Sequence, residues 1–424
     1  MGIAFILAAM PAGAVVFNMG GPGSAGIDIV STSGLFASGR DGAVTLVAQL
    51  GAVAPGGAVF SDLGVPSISP EGDVVFGGET VGQDKRPRWD IYRARPGAPA
   101  VQRIVQALDG ASIPDDCRPR FKTDPYPIAG PHGTVVFLAP EASGKDALFR
   151  LVDGHLSCAT RIGDRTAQGH RIHLLMFGSA DVANNGDIAF LAKVDDNGSE
   201  RESVLTFDDR SRLQEVAREG ASAPGGGSFE ARFGRPAIVN SQSGDLIAFT
   251  NRNAKVDTVY VGSAGKLARV FRTGMRTKMG ALTFISDGRP GLLSDGTLII
   301  SGAMHDRSAI FRSKDGRFSP IKTQGDLTQY GTRLESFVDP SVTSSGLVYI
   351  GGHDDSGQEH LFVFESGDAS KIPVESNADI SATGRWMPPF FPGSLAVNRN
   401  GDLTALGTAP DAQEPSVRSV TFGW

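Results

Sequence analysis

The sequence is poor in the features that mark several common classes of protein. It contains only 2 cysteines and has no CxxC or Cys/His cluster, which argues against a structural zinc site. Its formal net charge is −6, which disfavours nucleic acid as a partner because nucleic acid binding rewards a basic surface. No apolar run reaches the roughly 18 residues of a membrane-spanning helix, so no transmembrane segment is predicted.

Helical patterns are also scarce. No long window places apolar residues at helical spacing, and 55 glycines and 25 prolines interrupt the chain too often for long helices. Only 20% of the residues are charged, and this composition favours many short strands joined by tight turns. The sequence therefore predicts an all-β protein.

One short motif recurs along the chain. Its clearest copy, at residues 184–192, is a polar turn with a glycine followed by the apolar run Ile-Ala-Phe-Leu-Ala. The turn glycines of the seven copies are Gly72, Gly133, Gly186, Gly244, Gly296, Gly346 and Gly401. They lie roughly 50 to 60 residues apart, close to the length of a four-stranded propeller blade. Such self-similarity predicts a β-propeller, with four antiparallel strands in each blade.

We expect a single propeller domain over residues 1–424, with eight blades favoured and seven as the alternative. The expected units are approximately 1–60, 61–121, 122–177, 178–230, 231–285, 286–337, 338–390 and 391–424, the last of which closes the ring. The apolar segment at 2–8 lacks the basic region that opens an export signal. It matches the strand at 186–192 almost residue for residue, so the first blade is predicted to be truncated at its N-terminus.

A second motif joins the last strand of one unit to the first strand of the next. It is clearest at 51–60 and 220–229, where Ala-Pro-Gly-Gly is followed by a phenylalanine, and weaker versions span 163–177, 274–284 and 325–337. The glycines supply backbone conformations closed to other residues, and the phenylalanine is predicted to fill the gap between neighbouring units. We interpret this motif as structural.

Two acidic loops, 195–200 and 354–359, occupy equivalent places three units apart. Their clustered oxygen ligands suit calcium, but Asp-Asn-Gly and Asp-Ser-Gly are also favoured in hairpin turns for backbone reasons alone. The hairpin is the preferred interpretation and calcium the alternative, with no other cofactor expected. The candidate calcium ligands are Asp195, Asp196, Glu200, Asp354, Asp355 and Glu359.

The remaining candidates are isolated. Trp89 and Trp386 could present aromatic faces to sugars or peptides, although packing against the next blade is the preferred interpretation. Cys117 and Cys158 could form one disulfide or remain two unrelated thiols, since spacing does not establish proximity. Among the histidines only His170 and His173 approach ligand spacing, and we interpret them as surface or packing residues.

Four turns place an aspartate directly after the glycine, at Asp73, Asp187, Asp245 and Asp402. Thr134, Thr297 and Leu347 take this position in the other copies, which excludes a complete ring of carboxylates. These aspartates are predicted to cap local backbone N–H groups.

The hairpin at 66–76, Pro-Ser-Ile-Ser-Pro-Glu-Gly-Asp-Val-Val-Phe, resembles the TolB-like and WD40-like propeller repeats of bacteria. The Gly-x-x-Ala-Pro-Gly-Gly loops at 51–57 and 220–226 look more like an uncharacterised bacterial family of exported repeat propellers. Several of that family's members carry a C-terminal sorting signal. The resemblance implies an extracellular, cell-surface or periplasmic location, although neither an export signal nor a sorting tail is visible in this sequence. It brings no catalytic residues with it.

No nucleophile elbow, P-loop, dinucleotide fingerprint or metalloprotease motif is present. We therefore expect a monomeric, non-enzymatic propeller that binds a protein, peptide or glycan ligand over its central channel, or serves as a scaffold. The alternative is a glycan-active hydrolase or lyase with its site at the channel mouth. An enzyme would bring acidic, His, Tyr or Arg residues from three or more blades together there, whereas a scaffold would show only scattered polar residues.

Overall fold

The structure is a computed structural model that describes residues 32–409, except 39–43, 96–97, 99, 107–116, 209, 278–279, 306, 315, 328–330, 338–339, 343–346, 356–358, 366–373, 377–395 and 398–402. The predicted strand at 2–8 and the side chains of Trp386 and Asp402 lie outside this part of the chain. Within it there is no α-helix, and one 3₁₀ turn spans Pro131–Gly133.

The strands are short and follow one another closely, as the glycine-rich composition predicts. In chain order they are β1 (Thr32–Ser38), β2 (Val44–Gln49), β3 (Val59–Leu63), β4 (Ser67–Ile68), β5 (Val74–Val81), β6 (Pro87–Ala94), β7 (Gln102–Val105), β8 (Ile128–Ala129), β9 (Val135–Pro140), β10 (Asp146–Val152), β11 (His155–Arg161), β12 (Arg171–Leu175), β13 (Asp181–Val182), β14 (Ile188–Asp196), β15 (Ser199–Phe207), β16 (Leu213–Arg218), β17 (Ala237–Ser241), β18 (Gly244–Arg252), β19 (Asp257–Ser263), β20 (Lys266–Arg272), β21 (Arg276–Thr277), β22 (Gly280–Ile285), β23 (Gly291–Leu292), β24 (Leu298–Met304), β25 (Arg307–Lys314), β26 (Arg317–Thr323), β27 (Leu334–Phe337), β28 (Ser341–Val342), β29 (Leu347–Asp354), β30 (Glu359–Glu365), β31 (Val374–Ser376), β32 (Ala396–Val397) and β33 (Leu403–Ala409).

These strands form seven antiparallel sheets. Sheet 1 contains β3–β7, sheet 2 β8–β11, sheet 3 β12–β16, sheet 4 β17–β20, sheet 5 β21–β26, sheet 6 β27–β31, and sheet 7 β1, β2, β32 and β33. In sheets 1, 3, 5 and 6 the first strand is broken into two half-strands that pair with the same second strand. In sheet 3, for example, β12 and β13 both pair with β14, which pairs in turn with β15 and then β16.

The innermost strands close a ring. Each contacts the innermost strand of the next sheet, in the order β4, β8, β13, β17, β23, β28, β32 and back to β4. Side chains connect some of these neighbours, because Ser67 Oγ accepts the N–H of Ala129 at 3.0 Å and Asp181 Oδ2 accepts the N–H of Ile238 at 2.9 Å. The fold is therefore a β-propeller of four-stranded antiparallel blades, as predicted.

The expected count of eight blades is not confirmed, because the described residues form seven sheets. The strands β1 and β2, assigned from the sequence to a unit of their own, belong to the sheet that contains β32 and β33. Thr32 pairs with Ala409 and Ser33 with Thr408, so the two chain ends share one sheet. This arrangement hydrogen-bonds an edge of β33 that would otherwise be open, which gives the pairing its physical reason.

The hydrophobic core lies between adjacent sheets. Phe60 packs with Leu35 of sheet 7 and with Phe76 and Tyr92 of sheet 1. Phe229 lies between sheets 3 and 4, with its ring centroid 4.9 Å from that of Tyr260. Both residues are 3% exposed, which confirms the predicted gap-filling role of these two phenylalanines.

In the weaker copies of this motif, the predicted phenylalanine is not the residue that fills the gap. Phe177 and Phe284 are 46% and 43% exposed, so neither fills a gap between sheets. The loop glycine identifies the true equivalents, because its N–H donates to the carbonyl of Phe60 or Phe229 in the clear copies. In the weaker copies the same hydrogen bond reaches the buried aliphatic residues Ile172, Leu282 and Leu334.

Candidate functional site

The first strands of the sheets are placed differently at the two ends of the central channel. The inner half-strands next to the Gly-containing turns contact one another around the ring. The other half-strands turn away: β12 packs on β10, β22 on β19 and β27 on β25, each of which is the third strand of the preceding sheet. We call the end beside the turns the narrow end, and the opposite end, where these half-strands leave the ring, the funnel.

Short connectors lead into the inner strands at the level where the funnel begins. We define the connectors of sheets 1–5 as residues 64–66, 124–127, 176–180, 234–236 and 286–290. Those of sheets 1, 2, 4 and 5 end in a proline directly before the inner strand. Because proline lacks an N–H and restricts the residue before it, it ends one half-strand and redirects the chain toward the channel.

Arg289, on the sheet 5 connector, crosses over sheet 4 to reach sheet 3. Its Nη2 donates to the carbonyl of Ala180, and its Nη1 lies 3.3 Å from Asp181 Oδ1. The Nε of Arg289 is buried and has no hydrogen-bond partner among the described residues. Contact between sheets 3 and 5 shows that their connectors converge.

Arg235, on the sheet 4 connector, also reaches toward the connector of sheet 3. Its Nη2 lies 3.9 Å from the position that a Cβ would take at Gly178 of sheet 3. Its backbone N–H donates to the carbonyl of Asp287, and its side chain is exposed. Within the described part of the chain no carboxylate forms an ion pair with Arg235. Two guanidinium groups thus lie beside one connector, and one of them is uncompensated.

Two large aromatic side chains are exposed on neighbouring connectors. Tyr126 of sheet 2 is 45% exposed, and Phe177 of sheet 3 is 46% exposed. Exposed rings are costly in water unless something covers them, and ring faces are common contact surfaces for ligands. The connectors therefore combine apolar rings on sheets 2 and 3 with positive charge on sheets 4 and 5.

Asp124 holds the connectors of sheets 1 and 2 together. Its Oδ2 accepts the N–H of Val65 at 2.9 Å, and its Oδ1 accepts the N–H of Tyr126 at 3.0 Å. Burial raises the pKa of Asp124 to about 6, against the lowering effect of these two N–H groups. A Cβ at Gly64 would lie 2.3 Å from the carboxylate, so glycine is required for this close approach. Asp124 is committed to the backbone and supports the site without facing a ligand.

The described aspartates after the turn glycines are Asp73, Asp187 and Asp245, and they lie at the opposite, narrow end of the channel. The predicted local caps are not seen for the backbone N–H groups of Asp73 and Asp187. Ser69 Oγ and Asn185 Oδ1 accept those N–H groups instead. Asp73 pairs with Arg93 at 3.8 Å and with Arg95 at 3.5 Å. The other two described members of the set, Asp187 and Asp245, lie against each other.

Each acidic loop joins two paired strands, and the carboxylates of the first loop have partners. Asp195 Oδ1 accepts the N–H of Gly198 at 2.8 Å, and Asp196 pairs with Arg218. Glu200 lies 2.7 Å from His173 and 3.3 Å from Lys193. In the second loop, Asp355 Oδ1 accepts the N–H of Arg333, Asp354 is buried, and β30 begins at Glu359. Among the described residues no three His, Cys, Asp or Glu side chains are grouped to hold a metal ion.

His170 lines a cavity of about 390 Å³ between sheets 3 and 4, together with the gap-filling Phe229. Its Nδ1 lies 2.7 Å from Oε1 of the buried Glu215, and its Nε2 lies 3.6 Å from Asp196. Arg218 pairs with the same two carboxylates. The charges of this cluster therefore compensate one another, which indicates a structural role. His170 and His173 have separate partners and do not form a ligand pair.

The other predicted residues lie away from the funnel connectors. Trp89 is half-buried on β6 and pairs with Glu79. The Sγ atoms of Cys117 and Cys158 are joined in a disulfide whose Cα atoms are 5.7 Å apart. No helix among the described residues is long and apolar enough to cross a membrane.

The site residues predicted from the sequence did not include Arg235, Arg289, Tyr126 and Phe177. A signal was present, because Tyr126, Arg235 and Arg289 each precede a proline that opens an inner strand. Read across the units, this X-Pro position marks side chains at the channel. The convergence of three sheets on one connector could not be read from the sequence.

Comparison with protein families shows that the chain belongs to a family of unknown function (DUF7453), which matches residues 11–359. A comparison with curated proteins found no match. The family assigns no activity.

Several solved structures have a similar fold. A puromycin-hydrolysing peptidase from Mycobacterium tuberculosis is 13% identical with a TM-score of 0.46; the match covers 79% of this chain but only 48% of the peptidase. An oligogalacturonate lyase from Vibrio parahaemolyticus is 7% identical with a TM-score of 0.46, over 81% of this chain and 91% of the lyase. The Dos1 propeller is 10% identical with a TM-score of 0.39, over 93% and 92% of the two chains. At such low identity and TM-score, these similarities carry no argument about function.

Proposed function

We propose that the chain is a non-enzymatic binding propeller whose funnel takes an anionic ligand. The observation that carries the proposal is the exposed guanidinium of Arg235, which has no ion-pair partner among the described residues, beside Arg289 at the level where the connectors converge. A guanidinium in this setting binds carboxylate, sulfate or phosphate through charge-assisted hydrogen bonds. Tyr126 and Phe177 would contact the apolar part of the same ligand.

Binding is favoured over catalysis by the state of the titratable groups near the funnel. Asp124 uses its carboxylate on two backbone N–H groups, and Asp181 is occupied by Arg289 and by the N–H of Ile238. A general acid or base must reach the proton that it transfers, and both of these carboxylates are engaged elsewhere. The other connector carboxylate, Asp287, lies 3.3 Å from Arg252, so both connector carboxylates have partners.

An extracytoplasmic location forms part of the proposal. Disulfides persist in oxidising compartments and are rare in the cytosol, and the Cys117–Cys158 bond closes a loop with a sequence separation of 41 residues. This supports export, in agreement with the resemblance drawn from the sequence.

The test is isothermal titration of the purified protein with three anionic probes: hexagalacturonate, an acidic hexapeptide and inorganic phosphate, with maltohexaose as the neutral match. We expect binding of an anionic probe that weakens with added salt. Arg235→Ala should weaken it at least tenfold, because one charge-assisted hydrogen bond contributes about 1.5–3 kcal/mol.

The matched control is Arg210→Ala. Arg210 is also exposed, but it lies in the β15–β16 hairpin at the other end of the propeller. The Arg210→Ala variant should bind the probes as the unaltered protein does. Equal losses in the two variants, or preferred binding of maltohexaose, would contradict the proposal. Turnover of a probe would favour the enzyme instead.

A further inference from the structure

Two carboxyl groups meet across the boundary between sheets 3 and 4, at the narrow end of the channel. Asp187 and Asp245 each follow the turn glycine of their sheet, and Asp187 is only 6% exposed. The amide of Asn185 connects them, because its Nδ2 donates to Asp187 Oδ2 at 2.7 Å and to Asp245 Oδ1 at 3.3 Å. One amide nitrogen can contact both groups only if the two carboxyls are neighbours.

Asn240 completes the network from the other sheet. Its Nδ2 donates to Asp245 Oδ1 at 2.5 Å, and its Oδ1 accepts the backbone N–H of Asn185 at 2.8 Å. The Oδ1 of Asn185 accepts the N–H of Asp187 at 3.0 Å. The four side chains therefore form one hydrogen-bonded network across two sheets, and both asparagines use their oxygens as well as their nitrogens.

The charges around the network do not compensate Asp245. From sheet 2, Arg150 reaches the sheet 3 turn, where its Nη2 lies 2.7 Å from the Cβ position of Gly186. The charged group that acts on Asp245 is the Asp187 carboxyl, and the neutral amides of Asn185 and Asn240 oppose it. Burial is the larger cause and the neighbouring Asp187 carboxyl the smaller one, and together they raise the pKa of Asp245 to about 7. Adjacent carboxyls in such a setting retain one proton between them.

We propose that Asp187 and Asp245 form a proton-binding site that joins sheets 3 and 4, and that loss of the shared proton loosens this boundary. The carboxyl of Asp245 donates its proton to Asp187, while the two asparagine amides hold both groups in place. The folded state binds this proton more tightly than the unfolded chain. The stabilisation is therefore complete below the ordinary aspartate pKa of 3.8 and is lost as the pH rises through about 7.

The test compares thermal unfolding of the full chain and of Asp245→Asn between pH 5 and pH 9. Asparagine has the shape of the protonated acid, and its Nδ2 can donate to Asp187 in place of the lost O–H. We expect the midpoint of the unaltered protein to fall between pH 5 and pH 8. The fall should be smaller in Asp245→Asn by about 2 °C or more.

Asp153→Asn is the matched control. Asp153 is exposed in the hairpin between β10 and β11 and has φ of 50°, a conformation that asparagine tolerates. The Asp153→Asn variant removes the same carboxyl group and should leave the pH dependence of the unfolding midpoint unchanged. If Asp245→Asn shows the same fall in midpoint as the unaltered protein, the proposal is wrong.

A direct measurement covers the case in which Asp245→Asn folds poorly. The protein labelled with ¹³C at the aspartate carboxyls should show one carboxyl signal that titrates near pH 7. That midpoint should move to lower pH in Asp187→Asn, because the neighbouring charge is gone. The absence of a carboxyl titrating near pH 7 in the unaltered protein would overturn the proposal. Because the site lies at the end opposite the funnel, these outcomes do not depend on ligand binding.

Discussion

At the scale of single residues, glycines that look alike in the sequence meet different constraints. Gly296, in a turn, has φ of 80°, and a Cβ there would find no atom within 4 Å. Gly302, in β24, has no positive φ, but its Cβ would lie 2.5 Å from the backbone oxygen of Phe284. The first glycine is needed for conformation and the second for space.

We therefore predict different effects of the same substitution. Gly296→Ala should lower the free energy of unfolding by about 1–2 kcal/mol, because only the left-handed conformation opposes it. Gly302→Ala should lower it by about 3 kcal/mol, because backbone must move to admit the methyl group. Urea unfolding of both variants measures the difference. A smaller loss in Gly302→Ala than in Gly296→Ala would show that the approach of Phe284 is not close.

Neighbouring sheets also give identical residues different chemistry. Asp73 and Asp245 both follow a turn glycine, yet Asp73 lies near two arginines and Asp245 lies against another carboxyl. The Gly-Asp dipeptide is visible in the sequence. The charge that faces it comes from a different strand or from the turn of another sheet, so the sequence could predict the turn but not the pairing.

At the scale of elements, the first strand of a blade could be predicted from the sequence only in part. The repeats predicted its position and its antiparallel pairing. They did not predict that it breaks into half-strands, because the connector residues 176–180 carry no single feature that separates them from a strand. In sheet 5 the break places Arg289 at the connectors of the proposed site.

The gap between blades is filled by a residue whose type varies. We predict that Phe229→Ala lowers the free energy of unfolding by about 3–5 kcal/mol, because it leaves a cavity between sheets 3 and 4. Phe177→Ala should change it by no more than about 0.5 kcal/mol, since that ring is 46% exposed. Chemical denaturation of the two variants makes the comparison. Equal losses would mean that Phe177 also packs between sheets.

At the scale of the whole molecule, the ring depends on residues from both ends of the chain. Strands β1 and β33 pair, and Leu35 of β1 is fully buried in the same cluster as Phe60. A chain whose ends share one sheet cannot open there without exposing this core.

Leu35→Asp tests this closure, because it places an unpaired charge in the last boundary of the ring. We expect it to lower the free energy of unfolding by about 3 kcal/mol or more. Val53→Asp, a control at a site 72% exposed, should have an effect within about 0.5 kcal/mol. Thermal and urea unfolding would report both. A variant at Leu35 as stable as the control would place β1 outside the ring.

The sequence by itself determined the all-β class, the four-stranded unit and the positions of its turns, because these depend on local periodicity and on glycine. Tertiary structure decided how many sheets the described chain forms, which residues fill the gaps between them, and which side chains meet at either end of the channel. Those outcomes depend on contacts between residues that are distant in the sequence, such as Thr32 with Ala409 and Arg289 with Asp181. Local patterns carry no information about such contacts, so the architecture could be predicted and the candidate site could not.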